Sequence, residues 1–239
     1  EGWKKNRHKQ IDVLVHVAAF VGGINLNVKE PARMMYDNLR MGLNVIEQAR
    51  RHEIGHIVLI GTACSYPEDA PVPIFEDSLF MGRPTPETGP YGIAKLALFE
   101  VAKGYKQQYE TTVDLVVPSN LYGPGDNYEP GTAHVIPDLI SKFAHRVPGS
   151  AVEIMGDGEQ TRDFLYVEDA ARGIATAVER GTLGREVRQH LRGDVINLGS
   201  GRETRIREVA ELLEDITKSP FVFTGKRPAR QPGDRPSGL

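Results

Sequence analysis

The sequence predicts an α/β protein built on a doubly wound parallel sheet, with helices on both faces. Two observations carry that reading. Short apolar runs alternate along the chain with longer segments whose apolar residues recur at helical spacing. The apolar runs are also continuous and bounded by turn residues, as strands covered on both faces are.

The elements follow in order. "IDVLVHV" (11–17) reads as a buried strand, and "VKEPARMMYDNLRMGLNVIEQARRH" (28–52) as one long helix with Met35, Leu39, Leu43 and Ile46 at apolar spacing. "HIVLIG" (56–61) is a second strand, "YGIAKLALFEVAKGYKQQY" (91–109) a helix and "TVDLVVPS" (112–119) a third strand. "VIPDLISKFAHR" (135–146) is helical, "AVEIM" (151–155) strand-like and "YVEDAARGIATAVER" (166–180) helical. "DVINLG" (194–199) is a strand, "IREVAELLEDITK" (206–218) a helix and "FVF" (221–223) a last short strand. In such sheets ligands sit at the C-terminal ends of the strands. That rule gathers "AAFVGG", "GTACSYP" and "PSNLYGPGDN" at one mouth. Near residue 120 the loops lengthen and Pro and Gly become frequent. Residues 1–120 therefore read as one domain, to which strands around 151–199 return, and 121–239 mainly as a smaller lobe.

The bulk composition narrows the function classes. A chain of 239 residues with a net charge of −3 has no general electrostatic pull toward nucleic acid or an anionic membrane. No apolar run approaches the ~20 residues of a membrane span. The single cysteine, Cys64, cannot form an internal disulfide, which fits a reducing, cytoplasmic compartment. No set of residues reads as a metal site.

The chemistry-bearing pattern is "YGIAK". Tyr91 and Lys95 stand four apart at the start of a helix and share one face. A phenol, whose free pKa is about 10, needs help to move protons near neutrality, and an ammonium beside it favours the phenolate. Thr62, where the preceding strand ends, is placed to hydrogen-bond the same substrate oxygen. Tyr-x-x-x-Lys alone also fits two ordinary helix residues. Cys64 alone fits a small buried residue in a turn, and His134 a helix N-terminal residue bonded to backbone.

"HVAA", strand–"GTACSYP", "YGIAK" and strand–"PSNLYGPGDN", in this order, resemble the extended short-chain dehydrogenase/reductases, the nucleotide-sugar epimerase and dehydratase superfamily. "RDFLYVEDAARGI" (162–174) and "INLGSG" (196–201) resemble it too, so the likeness covers nearly the whole chain. It implies a Rossmann-like dinucleotide-binding domain with a C-terminal substrate-binding lobe. Within the superfamily, "AAFVGGI", "CSYP", "PYGIAK", "SNLYGPGDN" and "HVIPDLI" are similar to the GDP-L-fucose synthase branch, the 3,5-epimerase/4-reductases of a GDP-4-keto-6-deoxy sugar. The resemblance implies that Cys64 and His134 exchange protons at the carbons flanking the ketone. It implies that Tyr91, aided by Lys95 and Thr62, protonates the C4 oxygen as hydride arrives from a nicotinamide. A base on one face of a carbon and an acid on the other is what epimerisation beside a ketone requires.

The same resemblance assigns binding roles. Val17, Ala18, Ala19, Asn38, Gly61, Tyr91, Lys95, Pro118, Asn120, Leu121 and His134 would contact the cofactor, NADP or else NAD. Cys64, Asn120, Val135, Met155, Arg162 and Arg235 would contact a nucleotide-diphosphate sugar, GDP-linked. Met155 stands where this branch carries a tryptophan, and Thr62 where it more usually has serine. Dehydratases of the superfamily place Asp-Glu where Ala63 and Cys64 stand, which argues against a 4,6-dehydratase. The glycine-rich dinucleotide fingerprint is not in this sequence, and the first βαβ unit that carries it is expected upstream of Glu1. A homodimer is expected through helices 28–52 and 91–109, with Met34, Leu98 and Val101 facing the partner. Two other readings stay open: a 4-epimerase or 4-ketoreductase acting on another nucleotide-sugar, and a catalytically dead member kept as a binding or scaffold protein.

Overall fold

The computed structural model describes residues 11–182 and 194–225. Four strands form the main sheet: β1 (Val13–His16), β2 (His56–Ile60), β3 (Thr112–Pro118) and β7 (Val195–Leu198), in the order β1-β2-β3-β7 and all parallel. Alternate residues of β2 and β3 point to opposite faces, and each face is covered. Ile57, Leu59, Val113, Leu115 and Val117 pack under α2 (Pro31–Arg51) and α3 (Gly89–Tyr109). Val58 and Val116 pack under α5 (Val167–Thr182), against Ala177 and the half-buried Ile174 and Val178. The sheet is thus wound on both sides, as the continuous apolar runs require.

A second core lies apart from the main sheet. Leu139 and Phe143 of α4 (Val135–Ala144) pack with Val152 and Ile154 of β5 (Val152–Ile154) and with Ile206 and Ala210 of α6 (Ile206–Thr217). Phe221 and Phe223 of β9 (Phe221–Phe223), which pairs in parallel with β5, complete it. Between the two cores runs a three-stranded sheet, β4 (Asn120–Tyr122), β6 (Thr161–Tyr166) and β8 (Glu203–Arg205). Its β6–β8 pair is antiparallel, unlike the rest.

Three expectations need correction. The long helix is interrupted: α1 (Ile24–Lys29) ends at Glu30, whose ψ of 49° is non-helical, and α2 starts at Pro31. Proline lacks an N–H to donate and restricts the residue before it, so the helix restarts there. β4, β6 and β8 were not expected as strands; two are only three residues long, too short to show a period, and β6 buries charged residues. Met34 and Leu98 do not face a partner. Both are buried within the chain, and Leu98 fills the space above Gly42, where a Cβ would lie 2.3 Å from its Cδ1. Val101 is half-buried against the same core.

Candidate active site

The C-terminal ends of β1, β2, β3 and β7 form one mouth. β2 runs into Gly61 and Thr62, then one turn of 3₁₀-helix over Ala63–Ser65. Thr62 caps that turn: its Oγ1 accepts from the Cys64 amide at 3.2 Å, and its carbonyl accepts from the Ser65 amide at 3.0 Å. The turn is pinned to α3, where the Ser65 hydroxyl donates to the Gly92 carbonyl at 3.0 Å. Gly92 is the residue after Tyr91, and a Cβ there would stand 2.1 Å from the Cys64 carbonyl oxygen. Only a residue without a side chain lets α3 come this near. The tyrosine, lysine and thiol segments are therefore held as one block.

Burial sets the chemistry of that block. Tyr91 and Lys95 are both buried. Loss of water pushes the Tyr91 phenol up, and the nearby Cys64 adds to the shift. Burial lowers the Lys95 ammonium from 10.5 to about 8. Its Nζ lies 5.8 Å from the centre of the Tyr91 ring. An ammonium beside a phenol favours the phenolate, yet here desolvation leads and the phenol value moves up. Cys64 is half-buried. Desolvation pushes its thiol up, while hydrogen bonds to Thr62 and Thr88 and the charge of Arg162 act the other way.

The remaining expected residues divide into three groups. Val17 and Ala18 are exposed just past β1, Ala19 is half-buried, and Gly61 and Pro118 are buried at the ends of β2 and β3. Asn38 is buried and engaged: Oδ1 accepts from the Phe20 amide at 3.1 Å, and Nδ2 donates to the Phe20 and Met34 carbonyls at 2.8 and 2.7 Å. Its amide holds the loop after β1 onto α2. Asn120 donates to the Asp163 carbonyl at 3.2 Å, with Leu121 exposed beside it. On the far side of the mouth, His134 is exposed at the N-terminus of α4 and makes no side-chain cap. Its loop touches the first one, since the Gly23 amide donates to the Thr132 carbonyl at 2.9 Å. Val135 packs into the second core, Met155 is 50% exposed after β5, and Arg162 is buried on β6. Arg235 lies outside the described residues.

The sequence did not single out four residues that matter here. His16, the last residue of β1, is buried; burial lowers its imidazole, and the Lys95 charge lowers it further. Thr88, at the N-cap of α3, bonds both Cys64 and Thr85, the latter hydroxyl to hydroxyl at 2.9 Å. Thr88 stands at the cap position but its hydroxyl makes no capping bond and is spent on Thr85 and Cys64 instead, so the usual capping signal does not reveal its role. Gly92 and Asp163 had no local signal either, because their importance lies in contacts with segments far away in the chain.

Comparison with known proteins agrees with this architecture. The chain is 33% identical over 231 residues to the GDP-L-fucose synthase of Escherichia coli (strain K12), covering 94% of this chain and 71% of that enzyme. Across it and two further curated relatives the chain spans between 63% and 71% of the relative's length. The crystal structure of a GDP-D-glycero-L-gluco-heptose synthase from Campylobacter jejuni in the presence of NADPH superposes with a TM-score of 0.81 at 25% identity, over 94% of this chain and 76% of that one. A GDP-L-fucose synthetase from Naegleria fowleri bound to NADP gives a TM-score of 0.80 at 25% identity, over 95% of this chain and 69% of that one. The sequence profile of the NAD dependent epimerase/dehydratase family matches residues 4–199. With the fold, the Tyr91–Lys95 helix and this match in agreement, the chain belongs to the NAD dependent epimerase/dehydratase family.

Proposed function

We propose that the protein is an NADP(H)-dependent epimerase/reductase of a GDP-linked 4-keto-6-deoxy sugar, of the GDP-L-fucose synthase kind. The observation that carries this is Cys64. A thiol held by Thr62 and Thr88, in a turn locked against the Tyr91–Lys95 helix, sits where a second proton-handling group is needed. Simple ketone reduction needs no such group. Relatives named GDP-L-fucose synthase and solved GDP-sugar enzymes with NADP or NADPH support the substrate class and the cofactor.

The mouth suits a dinucleotide. Past β1 the exposed Val17 and Ala18 leave the backbone open to a flat ligand, and the buried Lys95 brings a positive charge behind them. NADPH, when bound, would supply the hydride for the sugar C4. The chain's residues handle the protons. Cys64 and His134 exchange protons at the carbons beside the ketone from opposite faces, inverting them. Thr62 and Tyr91 hold the C4 oxygen. Tyr91 gives it a proton as C4 is reduced, and the raised phenol value keeps that proton in place until then. Lys95 steadies the phenolate left behind. Arg162 and Asn120 meet the diphosphate and sugar. Residues 1–120 are the cofactor domain, and 121–239 mainly the substrate lobe.

A plain 4-ketoreductase, which needs only Thr62, Tyr91 and Lys95, is favoured by one observation, the exposure of His134. One experiment separates the two. The full-length protein is incubated with NADPH and GDP-4-keto-6-deoxymannose in deuterated water, as wild type and as Cys64→Ser. Deuterium at both carbons beside the ketone, lost in Cys64→Ser, is expected. NADPH consumption without carbon exchange would establish the ketoreductase instead.

We also take the protein to be a homodimer paired through α2 and α3. Met35, Leu43 and Ile93 remain exposed on those helices after the chain's own core is filled. A mass of one chain by light scattering would overturn this.

A further inference from the structure

Two family-like stretches, "TRDF" and "INLGSG", have no catalytic role for Asp163 or Ser200, yet they meet in space. Asp163 lies on β6 and is 4% exposed. Its Oδ1 accepts from the Ser200 amide at 2.9 Å, the Ser200 hydroxyl at 2.7 Å and the Ser119 hydroxyl at 3.2 Å. Its Oδ2 accepts from the Gly201 amide at 2.9 Å. Gly199 is bare for this reason, since a Cβ there would lie 2.6 Å from Oδ2. Four donors replace the water that a buried carboxylate gives up.

The partners are what make this bond set informative. Ser200 and Gly201 follow β7, and Ser119 joins β3 to β4, so both belong to the C-terminal ends of main-sheet strands. The Ser119 amide in turn donates to the Leu198 carbonyl of β7 at 2.9 Å. The Asp163 main chain also holds Asn120 through the bond to its carbonyl. On β6 successive side chains point to opposite faces. While Asp163 reaches the strand ends, its buried neighbour Arg162 leaves the other face of β6, close enough for its charge to act on Cys64.

We propose that Asp163 is a positioning residue: its carboxylate staples β6 to the ends of β3 and β7, and so sets where Arg162 and Asn120 stand relative to Cys64. The inference deepens the nucleotide-sugar reading above and rests on it for the substrate, though not for the geometry. Losing the staple moves the diphosphate-facing arginine away from the thiol and leaves the Tyr91–Lys95 block untouched, since that block is tied through Gly92 and Ser65.

The test uses Asp163→Asn, which keeps the shape but turns an amide NH₂ toward the Gly201 or Ser200 amide, donor against donor. Iodoacetamide labelling of Cys64, read by mass spectrometry of its peptide across pH, follows the thiolate fraction. Besides Arg162, the groups that face this thiol are Tyr91, Thr62 and Thr88. The labelling midpoint is expected to rise in Asp163→Asn, to rise likewise in Arg162→Gln, and to rise no further in the double variant. KM for the GDP-sugar is expected to rise about tenfold with kcat changed less, the pattern of lost uniform binding. Ser200→Ala, which removes a single hydroxyl donor, is expected to give a smaller shift of the same sign and serves if Asp163→Asn does not fold. An unmoved labelling midpoint in Asp163→Asn or, failing that, in Ser200→Ala, overturns the proposal, as does a fall in kcat at constant KM. If the wild type turns over no GDP-sugar, the function reading fails, while the labelling result still decides the role of Asp163.

Discussion

The two sides of the mouth are built differently. The side made by β2 and α3 is closed: Tyr91 and Lys95 are buried, and a missing Cβ at Gly92 lets two backbones touch. The side made by the second lobe is open: His134 is exposed, and Met155 is half in solvent. The difference fits the tasks proposed for each. Groups that move protons need fixed geometry and few waters, since an electrostatic effect is strongest where water is excluded. Groups that greet a large, variable ligand need access, and they settle only when it binds.

The largest effect should come from Lys95, the buried charge of the closed side. Lys95→Met is expected to lower kcat by about 10²–10⁴-fold, the usual scale for lost proton-transfer assistance. It should also make the protein more stable, because burying an unpaired ammonium costs folding free energy. The sign follows from the lowered value. Between about pH 8 and its ordinary 10.5 the unfolded chain binds this proton and the folded chain does not, so stability rises with pH across that window. Below about 8 the full cost, about 3 kcal/mol, is present. Chemical denaturation at several pH values checks this. A wild-type stability rise above pH 8 that disappears in Lys95→Met is expected, and turnover that needs the ammonium should fall over the same rise in pH. Equal stability of the two proteins at neutral pH would show that Lys95 is solvated and the closed side less dry than described.

How much of this contrast the sequence revealed depends on distance along the chain. β2 was readable because "HIVLIG" is apolar throughout. Tyr91 and Lys95 were readable because a four-residue spacing fixes their shared face whatever surrounds them. The tie between Gly92 and Cys64 was not, because it joins segments 27 residues apart, the separation of the Ser65–Gly92 bond beside it. β6 was missed for a related reason. "TRDFLY" places Arg162 and Asp163 in buried positions, and polar residues there are tolerated only because partners as distant as Ser200 satisfy them. The break at Pro31 is legible in the proline itself, while the apolar period runs on past it and hides the restart. The open side was read from family likeness alone, since exposed residues such as His134 and Met155 leave no packing signature.

A matched pair of small changes sharpens the comparison further. Gly92→Ala adds one carbon to the closed side, in the first turn of α3, where alanine would normally stabilise a helix by up to about 1 kcal/mol. Here the added carbon meets the Cys64 carbonyl oxygen at 2.1 Å, a backbone atom that cannot rotate away. The clash should win, at a net cost of about 1–3 kcal/mol, which lowers Tm by about 2–4 °C for each kcal/mol in a chain of this size. Turnover should fall about 10²-fold, because the turn bearing Thr62 and Cys64 must retreat from Tyr91. Met155→Ala removes far more atoms from the open side, yet its half-exposed side chain belongs to neither core. Its stability should change by no more than about 0.5 kcal/mol, with KM moving only a few-fold. Thermal melts and steady-state kinetics on both variants decide the matter. If Met155→Ala proved the more damaging of the two, the open side would carry preformed geometry that its exposure does not reveal. The division of labour between the two sides would then have to be reversed.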